Sequence, residues 1–128
     1  MSEDSGYKLK EMLGQHIIKD AAKNGHLEVV KYLRQLDIYW DELTCVFAAG
    51  IGHLEMLKWA GANQCPWDEY TCSTAAEYGH LELLKWARSN GCPWDEGTFN
   101  AGQKFGDPAL MRYLEEQGCP RPSLSRLP

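Results

Sequence analysis

No apolar run in this chain approaches the roughly 18 residues that a membrane-spanning helix needs. The opening stretch from Met1 to Lys10 has no signal-peptide core. Positive charge is scarce as well, with 13 Lys and Arg against 18 Asp and Glu for a net charge of −5. A broad basic patch for nucleic acid or anionic lipid is therefore not expected. Cys-x-x-Cys spacing is missing although there are five cysteines, the nearest two being Cys65 and Cys72. A phosphate-binding glycine loop, a nucleophile elbow and a metalloprotease motif are missing too. Strand-type alternation is found nowhere, which predicts an all-α fold. These absences predict a soluble intracellular chain with no catalytic constellation, no cofactor, and no nucleic-acid or membrane partner. An odd number of cysteines agrees with a reducing compartment. What is present suits one ordered domain: 128 residues, 44% of them apolar and 24% charged, are enough to bury a core without disulfides.

A fixed period organises the chain. Gly25-His26-Leu27-Glu28 recurs as Gly52-His53-Leu54-Glu55 and Gly79-His80-Leu81-Glu82, then decays to Gly106-Asp107-Pro108-Ala109, each step being 27 residues. Other columns of residues keep the same beat: Trp40/Trp67/Trp94, Asp41/Asp68/Asp95, Thr44/Thr71/Thr98 and, each followed by Pro, Cys65/Cys92/Cys119. Such regularity predicts a solenoid of stacked units. Its expected divisions are a cap segment at 1–13, units at 14–36, 37–63, 64–90 and 91–117, and a tail at 118–128.

Each unit reads as two short helices. In the third, Asp68 is placed to cap a helix that starts near Glu69. Cys72, Ala75 and Ala76 give it an apolar stripe, and Gly79 breaks it. A second helix follows from about His80, carries Leu81, Leu84 and Ala87 on one side, and stops at Asn90-Gly91. The first helices bury Ala pairs (Ala21/Ala22, Ala48/Ala49, Ala75/Ala76), and the second helices carry the bulk. Trp59 and Trp86 are followed by Ala, whereas Tyr32 and Tyr113 are followed by Leu. Larger ring with smaller neighbour is what a fixed packing volume requires, so all four rings are expected in the core.

The run Ala75-Ala76-Glu77-Tyr78-Gly79-His80-Leu81-Glu82-Leu83-Leu84-Lys85, closing at Gly91, is similar to the ankyrin repeat. The resemblance covers about residues 10 to 120. The period departs from that family's roughly 33 residues, because the stretch from Gly91 to Thr98 is shorter than the usual hairpin finger. The resemblance therefore implies the helix pairs with shortened or absent β-hairpin fingers, Pro93 and Trp94 forming a compact turn with Trp94 over the stack. Units joined by Gly-Cys-Pro-Trp-Asp-Glu resemble those of large DNA viruses and of protists such as amoebae and oomycetes. A leucine-rich repeat has a compatible period, but its Leu-x-x-Leu-x-Leu pattern is missing.

Candidate chemistry fails on spacing. Same-column cysteines or histidines should lie about a helix-packing distance apart, roughly 8–10 Å, too far to share a zinc ion at roughly 2.0–2.3 Å. No metal site or column disulfide is expected, and the cysteines read as small buried groups. His26, His53 and His80 are expected to bond neighbouring backbone, with His16 exposed. Glu28/Lys31, Glu55/Lys58 and Glu82/Lys85 are spaced as solvated ion pairs. Gly61 stands where other units have Arg34, Arg88 and Glu115, at a cost of roughly 1 kcal/mol within a helix.

Function is then expected where the units differ. Varying positions on the first helices nominate Leu43, Val46, Phe47, Tyr70, Ser73, Thr74, Glu77 and Asn100 as a surface for a protein partner. The resemblance implies the same, since ankyrin-like proteins hold partners on their concave face. The competing reading of Val46 and Phe47 packs them under neighbouring helices. A monomeric interaction module is the first expectation, and a rigid spacer within a larger assembly is the second. At the ends, Gly14 replaces the capping Asp, Gly102 and Gln103 replace Ala-Ala, and Leu124 and Leu127 are expected to fold over the exposed edge.

Overall fold

A computed structural model describes residues 3–122, with side chains described from Met12 onward. Its eight helices are α1 (Glu3–Lys23), α2 (Leu27–Gln35), α3 (Glu42–Ile51), α4 (Leu54–Ala62), α5 (Glu69–Glu77), α6 (Leu81–Ser89), α7 (Glu96–Phe105) and α8 (Pro108–Glu116). No strand occurs among the described residues, so the segments between helix pairs carry no hairpin finger. The odd-numbered helices form an inner layer in which α1 packs on α3, α3 on α5 and α5 on α7. Each also packs on the outer helix that follows it. The fold is an all-α repeat solenoid.

Local chemistry explains the helix boundaries. Asp41, Asp68 and Asp95 stand in extended backbone and accept hydrogen bonds from the amides of Leu43, Tyr70 and Gly97 at 3.0, 3.0 and 2.9 Å. Each satisfies a helix-start donor that would otherwise lack a partner. Gly14 occupies that column in the first unit, and with no cap to start a helix there α1 runs unbroken back to Glu3. Gly14 lies buried inside α1, where a Cβ would fall 2.7 Å from Ile38 Cγ2. Between inner and outer helix the chain turns at Gly52 with φ of 74°. A Cβ there would also meet the His80 ring at 2.7 Å, so backbone conformation and the neighbouring unit both require glycine.

Burial follows the columns. The Ala pairs of α1, α3 and α5 are buried, as are Val30, Leu57 and Leu84 on the outer helices. The linker tryptophans lie against the following outer helix: Trp40 meets Trp59, Trp67 meets Trp86 and Trp94 meets Tyr113, edge to face at 5.5, 5.9 and 6.2 Å between ring centroids. The core expectation for the outer-helix aromatics is thus met in part, because Trp59, Trp86 and Tyr113 are half-buried against the core. It fails for Tyr32, which is exposed. The cause is visible in the preceding column, where Leu13, itself exposed, stands in place of a tryptophan.

The trailing end is closed differently. Gln103 is exposed where Ala22, Ala49 and Ala76 are buried, and the Arg121 guanidinium lies 4.9 Å from the centre of the Phe99 ring. Leu124 and Leu127 lie outside the described residues.

Candidate functional site

The inner helices present their last turns and the following residues on one side of the stack. Between α3 and α5 this side holds a groove of about 430 Å³. Val46, Phe47, Gly50 and Ile51 form one wall, Thr74, Glu77 and Tyr78 the other, and Lys23 closes the end towards α1. Gly50 brings the walls together, since a Cβ there would lie 3.2 Å from Thr74 Cγ2. Ile51 and Tyr78 are exposed at the rim, and Lys23 and Glu77 are both exposed. The groove is therefore apolar along its floor, with one charge of each sign beside it.

Of the residues nominated from sequence, Val46, Phe47, Thr74 and Glu77 line this groove. Leu43 and Tyr70 are exposed near the opposite ends of α3 and α5, away from it. Ser73 is half-buried and donates its hydroxyl to the Tyr70 carbonyl at 3.3 Å, while Asn100 is exposed on α7. Val46 and Phe47 do not face solvent fully. Both are half-buried, and Phe47 packs against the core. Sequence reasoning missed Ile51 and Tyr78. Their signal was the column Asn24/Ile51/Tyr78/Phe105, which sets large apolar residues just before the turn glycine, where a helix end is open to solvent.

Among the described residues no group of three or more His, Cys, Asp and Glu side chains is placed to hold a metal ion. All five cysteines are free and buried. They do meet, though not within a column: hydrogen bonding to the Cys65 thiol, then burial, pushes the Cys45 thiol far above the ordinary range. Cys92 and burial do the same to Cys72. Burial raises Cys119 to about 11. The linker thiols also tie units together, since Cys65, Cys92 and Cys119 donate to the carbonyls of Asp41, Asp68 and Asp95 at 3.6, 3.5 and 3.7 Å. Raised as they are, the Cys45, Cys72 and Cys119 thiols are unsuited to nucleophilic work.

The histidine column splits. His53 accepts from the Met56 amide at 3.2 Å, and His80 reaches back across Gly52 to bond the Gly50 carbonyl at 3.0 Å. His26 is exposed and its ring makes no cap bond. Glu28–Lys31 and Glu82–Lys85 pair at 3.5 and 3.7 Å, and Lys19 pairs with Asp41 at 3.4 Å. No described helix is long and apolar enough to cross a membrane.

Residues 18–60, from inside α1 to the last turn of α4, match the family model described as ankyrin repeats (many copies). Ankyrin repeats are generally protein–protein interaction modules. No curated protein matches the chain.

Proposed function

With an ankyrin-type match over residues 18–60 as the premise, we propose that this chain is a non-catalytic, monomeric module that binds another protein inside the cell. The partner lies along the inner-helix side, over the groove between α3 and α5 and out to Tyr70 and Asn100. The carrying observation is the groove itself: an apolar trough of about 430 Å³ whose exposed rim includes Ile51 and Tyr78. Apolar groups held open to solvent around a preformed concavity are the usual makings of an interface core. Tyr70 and Tyr78, at 62% and 56% exposure, are the rigid aromatic anchors such an interface favours.

A photo-crosslinking residue placed in turn at Tyr78, Tyr70, Tyr32 and Lys85 tests this. Incubated with cell extract, the Tyr78 and Tyr70 probes should capture one shared protein that the two outer-helix probes do not. Tyr78→Asp should abolish capture by the Tyr70 probe while the thermal melt stays unchanged. Equal capture from all four positions would overturn the assignment. A second reading, a spacer within a larger assembly, is favoured by one observation, the uncovered apolar end formed by Leu13, Ile17, Val29 and Tyr32.

A further inference from the structure

Three equivalent places lie along the outer side of the stack, 27 residues apart. In each, the last turn of an outer helix, the tryptophan of the next linker and an aromatic ring of the next outer helix come together. They are Arg34–Trp40–Trp59, Gly61–Trp67–Trp86 and Arg88–Trp94–Tyr113. At the first and third a guanidinium makes two contacts at once. Arg34 Nη1 donates to the Ile38 carbonyl at 2.6 Å while its Cζ lies 4.6 Å from the centre of the Trp40 ring. Arg88 Nη1 donates to the Cys92 carbonyl at 2.6 Å, with its Cζ 4.2 Å from the centre of the Trp94 ring.

The middle place keeps everything except the guanidinium. Trp67 and Trp86 meet edge to face as their counterparts do. The Cys65 carbonyl, counterpart of those of Ile38 and Cys92, receives no arginine, because Gly61 stands in that column. The backbone has not closed in to compensate. A Cβ on Gly61 would meet nothing nearer than the Trp86 ring at 3.6 Å, and the cavity there, about 320 Å³, reaches down to Cys65 and Trp67, whereas the groove of about 400 Å³ beside Arg34 is lined by Arg34 itself and by neither Ile38 nor Trp40. Lys58 also lines the cavity, and this does not forbid a second cation, since Lys31 and Arg34 line the corresponding groove between α2 and α4 together.

We propose that this cavity is a binding site for an arginine side chain presented by another molecule. Its guanidinium would donate to the Cys65 carbonyl and stack on Trp67, as Arg34 and Arg88 do in their own units. Arginine is selected over lysine because a planar, weakly hydrated group with several fixed donors can stack and bond at once. The site lies on the side of the stack opposite the inner-helix groove, so it stands or falls independently of that interface.

The five indole N–H signals of the chain carry the test, with internal controls. Titration of N-acetyl-arginine amide should shift the signals of Trp67 and Trp86 and leave those of Trp40 and Trp94, whose guanidinium is already supplied. The neutral citrulline analogue and the lysine analogue should each bind at least about tenfold more weakly. Gly61→Arg should abolish the response, whereas Gly61→Ala, which changes helix propensity without filling the cavity, should keep it. Equal shifts at all five indoles, equal binding of the lysine analogue, or a response that survives in Gly61→Arg would overturn the proposal.

Discussion

The first helix pair and the three behind it carry matching columns under opposite conditions. Ile17 is 50% exposed, while Thr44, Thr71 and Thr98, which share its column, are fully buried. Val29 is 42% exposed, against 0%, 2% and 0% for Met56, Leu83 and Leu110. In a stacked array, burial is conferred by the unit in front and not by the residue type. The first unit has no such neighbour among the described residues, so it presents as surface what the others hold as core. Solenoids ordinarily close their ends with polar faces. Among the described residues the trailing face carries the polar Gln103, whereas the leading face presents the apolar Leu13, Ile17 and Val29.

The contrast predicts its largest effect within one column. Leu83→Ala should destabilise by about 2–5 kcal/mol, the range for a fully buried leucine. Val29→Ala should cost less than about 1 kcal/mol, because much of its side chain is already in water. Urea unfolding of both variants measures the difference. Similar costs would mean that the leading face is covered in solution, and a sedimentation run would then show whether a second copy covers it.

A smaller effect, of opposite sign, should come from the ends of the outer helices. The chain reverses there through Asp37, Gln64, Gly91 and Gly118, at φ of 60°, 62°, 87° and 71°. Only the latter two are glycines. A side chain in this left-handed region costs about 1–2 kcal/mol, partly offset by the extra freedom glycine has when unfolded. Gln64→Gly should therefore stabilise by about 0.5–1 kcal/mol, and its urea midpoint should rise with the slope unchanged.

Much of this architecture was legible in the sequence because it is written several times over. The Asp caps, the Ala pairs and the turn glycines each recur at one spacing, so each copy checks the others. What recurs less was harder to see. Tyr32 and His26 sit in columns that are packed or bonded elsewhere. Tyr32 is exposed because Leu13 stands where later units have a tryptophan, and His26 because no helix pair precedes its own among the described residues. The pairing of Cys45 with Cys65 joins two columns, and a column-by-column reading separates same-column atoms without asking which different columns touch. On the candidate face, Val46, Phe47, Thr74 and Glu77 were accessible as varying positions. Ile51 and Tyr78 were not, because their importance comes from the groove that Gly50 lets the two helices form. Gly61 stood out as a break in a column, but the cavity it leaves depends on Trp67 and Trp86 from two other elements.

The thiol columns carry the same contrast into pH dependence. Ile18 and Ile38 begin the two columns in which Cys45 and Cys72, and Cys65, Cys92 and Cys119, follow further along. An unfolded cysteine loses its proton near 8.5, whereas hydrogen bonding to a neighbouring thiol and burial keep Cys45 and Cys72 protonated well above that, and burial raises Cys119 to about 11. Below about pH 8.5 both states are protonated and this contribution to stability is fully present. Above that the unfolded chain binds fewer protons than the folded one, so stability falls as pH rises. The thermal midpoint should therefore drop between pH 8 and pH 10. In Cys72→Ala it should start lower, from lost packing, yet fall less steeply over the same interval. An identical slope in the variant would assign the alkaline loss to tyrosine and lysine, and would mean that the thiols contribute packing alone.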